Sequence, residues 1–202
     1  MQSLAKQMKS RMESTPDEVF RPSDFFDLGE VVQVNKILSR MTQDGQAWRL
    51  SRGLYAYFTS SKYGKALAYT GALAASWARK SGIVITEIGA AAANVLGFSL
   101  QNVMKEIFLT SGQAMIWTLD VSTAEFRKGT EAQMLFGNRL EGKLVRAWDF
   151  MGQEGATDVF PLFRPQMARS VNWDAIINAD AVLPAWMCKL AQEGKLKKWN
   201  SQ

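Results

Sequence analysis

Five cations, Lys36, Arg40, Arg49, Arg52 and Lys62, stand between Val31 and Lys62 against a single acid, Asp44. The chain of 202 residues has a net charge of only +5, so this segment holds most of the excess. Clustered arginine and lysine suit a polyanion: they neutralise phosphate, and arginine grips guanine. Gln33 and Gln43 extend the pattern, since amides are matched to adenine. At about 100° per residue, Gln33, Lys36, Arg40 and Gln43 share one side of a helix, while Val31, Val34, Leu38 and Met41 share the other. A helix with a merely solvated polar side has the same outline. The arginines that follow favour the recognition-helix reading. Arg49 and Arg52 sit about a tight Ser51-Arg52-Gly53 turn between two strand-like runs, Ala47–Leu50 and Leu54–Phe58. A wing holds such arginines on the DNA backbone or in the minor groove.

Other chemistries are poorly provided for. The chain has no histidine, which removes His-ligated metal sites, imidazole acid–base catalysis and the Ser-His-Asp triad. Its one cysteine, Cys188, allows no internal disulfide and reads as a small buried hydrophobe on a helix over Leu183–Gln192. Glu87, Asp120, Glu125, Asp149, Glu154 and Asp158 are the acids available to pair for metal or acid–base work, and none lies in a motif. Gly89 to Asn94 follows a strand and opens a helix, the place where a phosphate would bind. It lacks the glycine spacing and the Gly-Lys-Ser/Thr of nucleotide loops, so close packing of the helix on a sheet is expected instead. No cofactor is implied. Tryptophans mostly fall in apolar patterns and are expected in the core, with Trp173, Trp186 and Trp199 the candidates for a partner surface. Lys195, Lys197 and Lys198 read as a solvated tail.

The cationic residues need elements to hold them. Leu4, Met8 and Met12 repeat every four residues, one apolar stripe on a helix that ends near Thr15-Pro16. Val19-Phe20 reads as extended. Ser23 is the expected N-cap of a short helix through Asp27, stopped by Gly29. A third helix is expected from about Glu30 to Gln43, closing at Asp44-Gly45, and the hairpin follows. Helix, short helix, turn, helix and hairpin is the order of a winged helix-turn-helix. Beyond Ser60–Lys65 the pattern changes, which sets two domains, 1–62 and 63–202. Lys65 to Lys80 reads as an alanine-rich helix, Ile83–Thr86 as a strand, and Gly89–Val95 as a helix closed at Gly97. Strands are expected at Ile107–Thr110, Met115–Leu119 and Val121–Phe126, then a helix over Phe136–Phe150 and further helices broken at Pro161, Pro165 and Pro184. The expected fold class is α+β, a winged helix followed by a mixed α/β domain with a helical C-terminus. The N-terminus has no apolar signal region, and the longest uncharged stretch, Ile88 to Met104, is short and polar. A cytoplasmic protein with no membrane partner is expected.

Arg21-Pro22-Ser23-Asp24-Phe25, Leu28-Gly29, Leu38-Ser39-Arg40-Met41, Gly45 and Arg49-Leu50-Ser51-Arg52-Gly53-Leu54-Tyr55 together resemble the N-terminal winged helix of the AbiEi antitoxin family. Gly89 to Asn94, Leu96-Gly97 and Leu109-Thr110-Ser111-Gly112 are similar to the next domain of those antitoxins. The resemblance runs from about Pro16 to Gly129. It implies a type IV toxin–antitoxin system whose toxin is a nucleotidyltransferase and need not form a stable complex with the antitoxin. It also implies repression of the antitoxin's own operon through double-stranded inverted repeats, which two copies of the chain would grip. By the same resemblance Leu38-Ser39-Arg40 lies on the recognition helix, which adds Ser39 to the site, and Arg49 to Tyr55 forms the wing. The expected DNA-binding set is thus Gln33, Lys36, Ser39, Arg40, Gln43, Arg49, Arg52 and Lys62. The rival readings are a solitary winged-helix regulator of a mobile element and, from another class, a nucleic-acid-processing enzyme built on the six acids.

Overall fold

A computed structural model describes residues 2–61, 64–66, 68–100, 105–119 and 123–199. The chain divides into two compact units, one of Met1–Ile83 with Met115–Glu125, the other of Val84–Ala114 with Phe126–Gln202. The expected boundary near 60–65 falls inside the first unit.

The first unit opens with helix α1 (Leu4–Ser14), whose N-cap Ser3 accepts the Lys6 amide through Oγ at 3.4 Å. Met8 and Met12 are fully buried, as their spacing requires. Strand β1 (Val19–Phe20) leads into a short 3-10 helix, Pro22–Phe25. Its cap is Arg21, not the expected Ser23. Pro22, with φ already fixed and no N–H to lose, takes the first helical position and moves the cap two residues back. The Arg21 amide donates to Asp24 Oδ2 at 3.0 Å. Helix α2 (Val31–Gln43) follows, buried through Val34, Leu38 and Met41. Val31, expected among them, is half exposed. It is the first residue of the helix.

Gly45 (φ +61°) ends α2 and turns the chain into β2 (Ala47–Ser51) and β3 (Leu54–Tyr57). β1 and β2 both pair antiparallel with β3, so the sheet order is β1-β3-β2. This sheet, with α1, the 3-10 turn and α2, forms an N-terminal winged helix-turn-helix. Its core joins Met8, Met12, Phe20, Phe25, Val34 and Leu38. Two polar ties fix the helices to it: Arg11 forks onto Asp27 at 2.8 and 2.7 Å, and Tyr57 donates its hydroxyl to Glu13 Oε1 at 2.7 Å.

After the wing come a small hairpin, β4 (Thr59–Ser61) with β5 (Gly64–Ala66), and helix α3 (Thr70–Ser81). The expected helix over 65–80 therefore starts late, because Lys65 and Ala66 pair as strand with Ser60 and Thr59. α3 covers the outer edge of β1. Ser76 Oγ accepts the Val19 amide at 3.1 Å, and Lys80 Nζ donates to the Val19 carbonyl at 2.7 Å. Strand β8 (Met115–Thr118), met further along the chain, completes this unit. The Trp48 indole donates to the Thr118 carbonyl at 2.6 Å, and Trp117 lies 5.5 Å from Trp77.

In the second unit β6 (Ile85–Glu87) pairs antiparallel with β7 (Glu106–Thr110). β9 (Thr123–Lys128) neighbours β7 here and β8 in the first unit, since the division falls within it at 125/126. Helix α4 (Gly89–Leu96) packs closely on α6 (Leu140–Val159). α6 begins four residues later than expected, after Gly137 turns with φ +54°, and continues past Phe150 through a kink at Gly152. The short helices α5 (Glu131–Met134), α7 (Pro165–Ala168) and α8 (Trp173–Ile177) and the longer α9 (Ala185–Leu196) make the C-terminus helical. Their core contains Trp148, Phe160, Phe163 and Trp173. Among the described residues no helix is long and apolar enough to cross a membrane.

Candidate nucleic-acid interface

The outward side of α2 is set by what its inward side must do. With Val34, Leu38 and Met41 committed to the core, Gln33, Lys36, Ser39, Arg40 and Gln43 are left in solvent, and all five are exposed. The structure thus brings them together on one helix face. Arg49 and Arg52 are exposed too. Arg49 lies on β2 opposite Tyr55, and the strand register shifts between Arg49 and Ser51 next to the turn. Gly53, with φ +71°, makes that turn. A side chain there would be strained, so the wing's shape depends on the glycine. Lys62 lies outside the described residues.

None of Lys36, Arg40, Arg49 and Arg52 forms an ion pair with a described residue. Other cations in this unit are paired: Lys9 with Glu13, Arg11 with Asp27, Arg79 with Glu18, and Lys80 with Glu18 and Asp24, whereas Lys6 and Arg21 form no ion pair with a described residue. Arg11, Arg79 and Lys80 thus tie elements of the fold together, whereas Lys36, Arg40, Arg49 and Arg52 do not. Glu18 is one of the acids so engaged. Its hydrogen bond from Lys80 holds the carboxyl below the usual range against the effect of burial, and Arg79 adds to it.

Two features went unforeseen. Lys6 and Lys9 of α1 line the same open recess of about 290 Å³ as Arg40, together with Ile37, Met41 and Asp44. They place two cations beside Arg40 from about thirty residues upstream, Lys9 being paired with Glu13 at 3.8 Å. The stripe of Leu4, Met8 and Met12 leaves them on the helix flank, but no sequence spacing places that flank beside Arg40. The other feature is Val32, 76% exposed in the middle of the polar face.

The second unit offers less. A Cβ on Gly89 would lie 2.5 Å from the Arg146 carbonyl oxygen and from Phe150 Cβ, so this glycine serves close packing of α4 on another helix, α6, and not the expected packing on a sheet. Glu87 is held by Arg146 at 2.8 Å and Lys143 at 3.2 Å. Burial pushes its carboxyl up, yet these partners hold it below the usual range. Asp149 accepts a hydrogen bond from Gln133 at 2.8 Å, Glu154 and Asp158 are exposed, and Asp120 lies outside the described residues. No group of three or more metal-binding side chains occurs among the described residues. Cys188 is buried, and burial raises its thiol. Trp173 is buried, and the partly buried Trp199 stacks on it at 6.2 Å beside Phe160 and Phe163. Trp186 is partly buried against the same core.

The fold defines the class, a winged helix-turn-helix, on which Lys36, Arg40, Arg49 and Arg52 are exposed and form no ion pair among the described residues. Within it, the family of unknown function DUF6088 matches residues 4–161, and the chain belongs to that family. No curated protein and no solved structure matches.

Proposed function

We propose that the chain is a DNA-binding antitoxin that represses its own operon and counteracts a nucleotidyltransferase toxin in the cytoplasm, acting by binding rather than catalysis. One observation carries the DNA-binding part: four exposed cations on α2 and the β2–β3 wing have no acidic partner among the described residues. Unpaired cations on a recognition helix and its wing suit phosphate and guanine, and Gln33 and Gln43 suit adenine. Lys6 and Lys9 extend the positive surface beside Arg40. Lys62 and Ser39 are included in the interface by their place in the sequence. The antitoxin part rests on the resemblance of the wing and of the Gly89–Gly112 segments to the AbiEi family.

The test has two arms. The purified chain is mixed with its own promoter DNA and with unrelated duplexes over a salt series. Tighter binding to the promoter, with affinity falling steeply as salt rises, is expected. Co-expression with the neighbouring reading frame should then relieve growth arrest caused by that frame. Promoter binding without relief would leave a solitary winged-helix regulator. Absence of duplex binding would overturn the proposal.

A further inference from the structure

The outward face of α2 is polar except near its start. Val32, Lys36, Ser39 and Gln43 form a stripe at i, i+4, i+7 and i+11, within about 60° of one another around the helix. Lys36, Ser39 and Gln43 have the residue types of a DNA-facing surface, whereas Val32 is an apolar side chain left 76% exposed. Burial within its own unit does not account for it, because Val34, Leu38 and Met41 supply the core contacts of α2 from the other side. The first turn also has its own charge. Glu30 caps it, Val31, Val32 and Gln33 follow, and the first cation comes only at Lys36. A helix end with no cation and one carboxylate is poorly matched to phosphate. It suits the floor of the major groove, where thymine alone presents an apolar group, the C5 methyl.

We propose that Val32 is a specificity-determining residue that packs on a thymine C5 methyl in the major groove, so that the site requires thymine at the step met by the first turn of α2. The inference rests on the DNA-binding reading above. The exposed Lys36 and Arg40 on the same face bring the duplex to this surface, and the valine then distinguishes among base pairs that phosphate contacts treat alike. Removing water from a methyl and a valine together makes the contact favourable.

The experiment deletes the methyl and nothing else. Duplexes are selected from a random pool with the full chain, and each thymine of the enriched site is replaced in turn by uracil, which keeps every hydrogen-bonding edge. Affinities are read by fluorescence anisotropy at fixed salt. At one or two positions uracil should weaken binding about fourfold, the worth of one buried methyl-sized group. The variant Val32→Ala should lose about as much on the thymine duplex and nothing further on the uracil duplex. The exposed position makes that variant safe for folding, and the uracil arm uses the unaltered chain. Uracil without effect at every position overturns the contact while leaving DNA binding in place, as does a Val32→Ala chain as sensitive to uracil as the parent. A Val32→Ala chain with a changed mass in sedimentation and an unchanged uracil profile makes the patch a contact between copies, which also overturns it. A pool from which no duplex is enriched overturns the DNA-binding reading, and this one with it.

Discussion

Two kinds of charged residue coexist within the winged helix, and each has its own measurable signature. Lys36 and Arg40 are exposed on α2 and form no ion pair among the described residues, so Lys36→Ala and Arg40→Ala should leave the melting temperature almost unchanged. Each should weaken operator binding by about 1–3 kcal/mol if the side chain reads a base. Arg49→Ala and Arg52→Ala should instead weaken all duplexes alike and reduce the salt slope by about one, as phosphate contacts do. Gel shifts with specific and random duplexes over a salt series separate the two pairs, and unchanged binding in all four variants would sink the interface. The second kind appears in the pH dependence of stability. Glu18 is held below its usual range in the folded chain, so its contribution is present above the unfolded value of about 4.3 and lost as pH falls through the folded one. Tyr57 is raised by burial and by the Glu13 carboxylate, so its contribution is present below about pH 10 and lost as pH rises through the folded value. Lys80→Met should therefore flatten the acid limb of a melting-temperature profile, and Tyr57→Phe the alkaline limb. Profiles that keep the parent's slopes would show that neither contact contributes.

At the scale of elements, what was legible follows from how far apart the interacting residues lie. The face of α2 and the hairpin after it were legible because helical period, Gly45, Gly53 and alternating burial are local signals. The start of α3 was not, because Lys65 and Ala66 are good helix formers that pairing with Ser60 and Thr59 places in a strand. Val32 was hidden among the apolar residues of its helix, and Lys6 and Lys9 by the distance in sequence from Arg40. Most consequential was the attachment of α3 to β1 through Ser76 and Lys80, which joins residues about sixty apart. β1 is only two residues long, and its outer edge would otherwise present unsatisfied backbone groups. Ser76→Ala removes the acceptor of the buried Val19 amide. It should destabilise the chain by about 1–3 kcal/mol in urea unfolding and speed hydrogen exchange at Val19. Exchange at Val19 equal to the parent's would mean that α3 does not hold the strand.

For the whole molecule the same contact changes how the two proposed jobs should be separated. Cutting the chain near residue 62 removes α3 from the edge of β1, and with it the partners of the Val19 amide and carbonyl, Ser76 and Lys80. A 1–62 fragment should therefore melt below a 1–83 fragment, and loss of DNA binding by it would report unfolding rather than function. Exposed side chains offer the cleaner division. Arg40, Arg49 and Arg52 can be replaced together by alanine in the full chain without touching a buried contact. If the winged helix serves DNA and the remainder of the chain serves neutralisation, the triple variant should fail to repress a promoter–reporter while still restoring growth to cells that express the toxin. Circular dichroism and the melting temperature should match the parent's. Loss of both activities with the fold intact would mean that the toxin or its target is met through the same cationic face, which would then be an interface for two partners in turn. Retention of both would remove these arginines from the interface altogether.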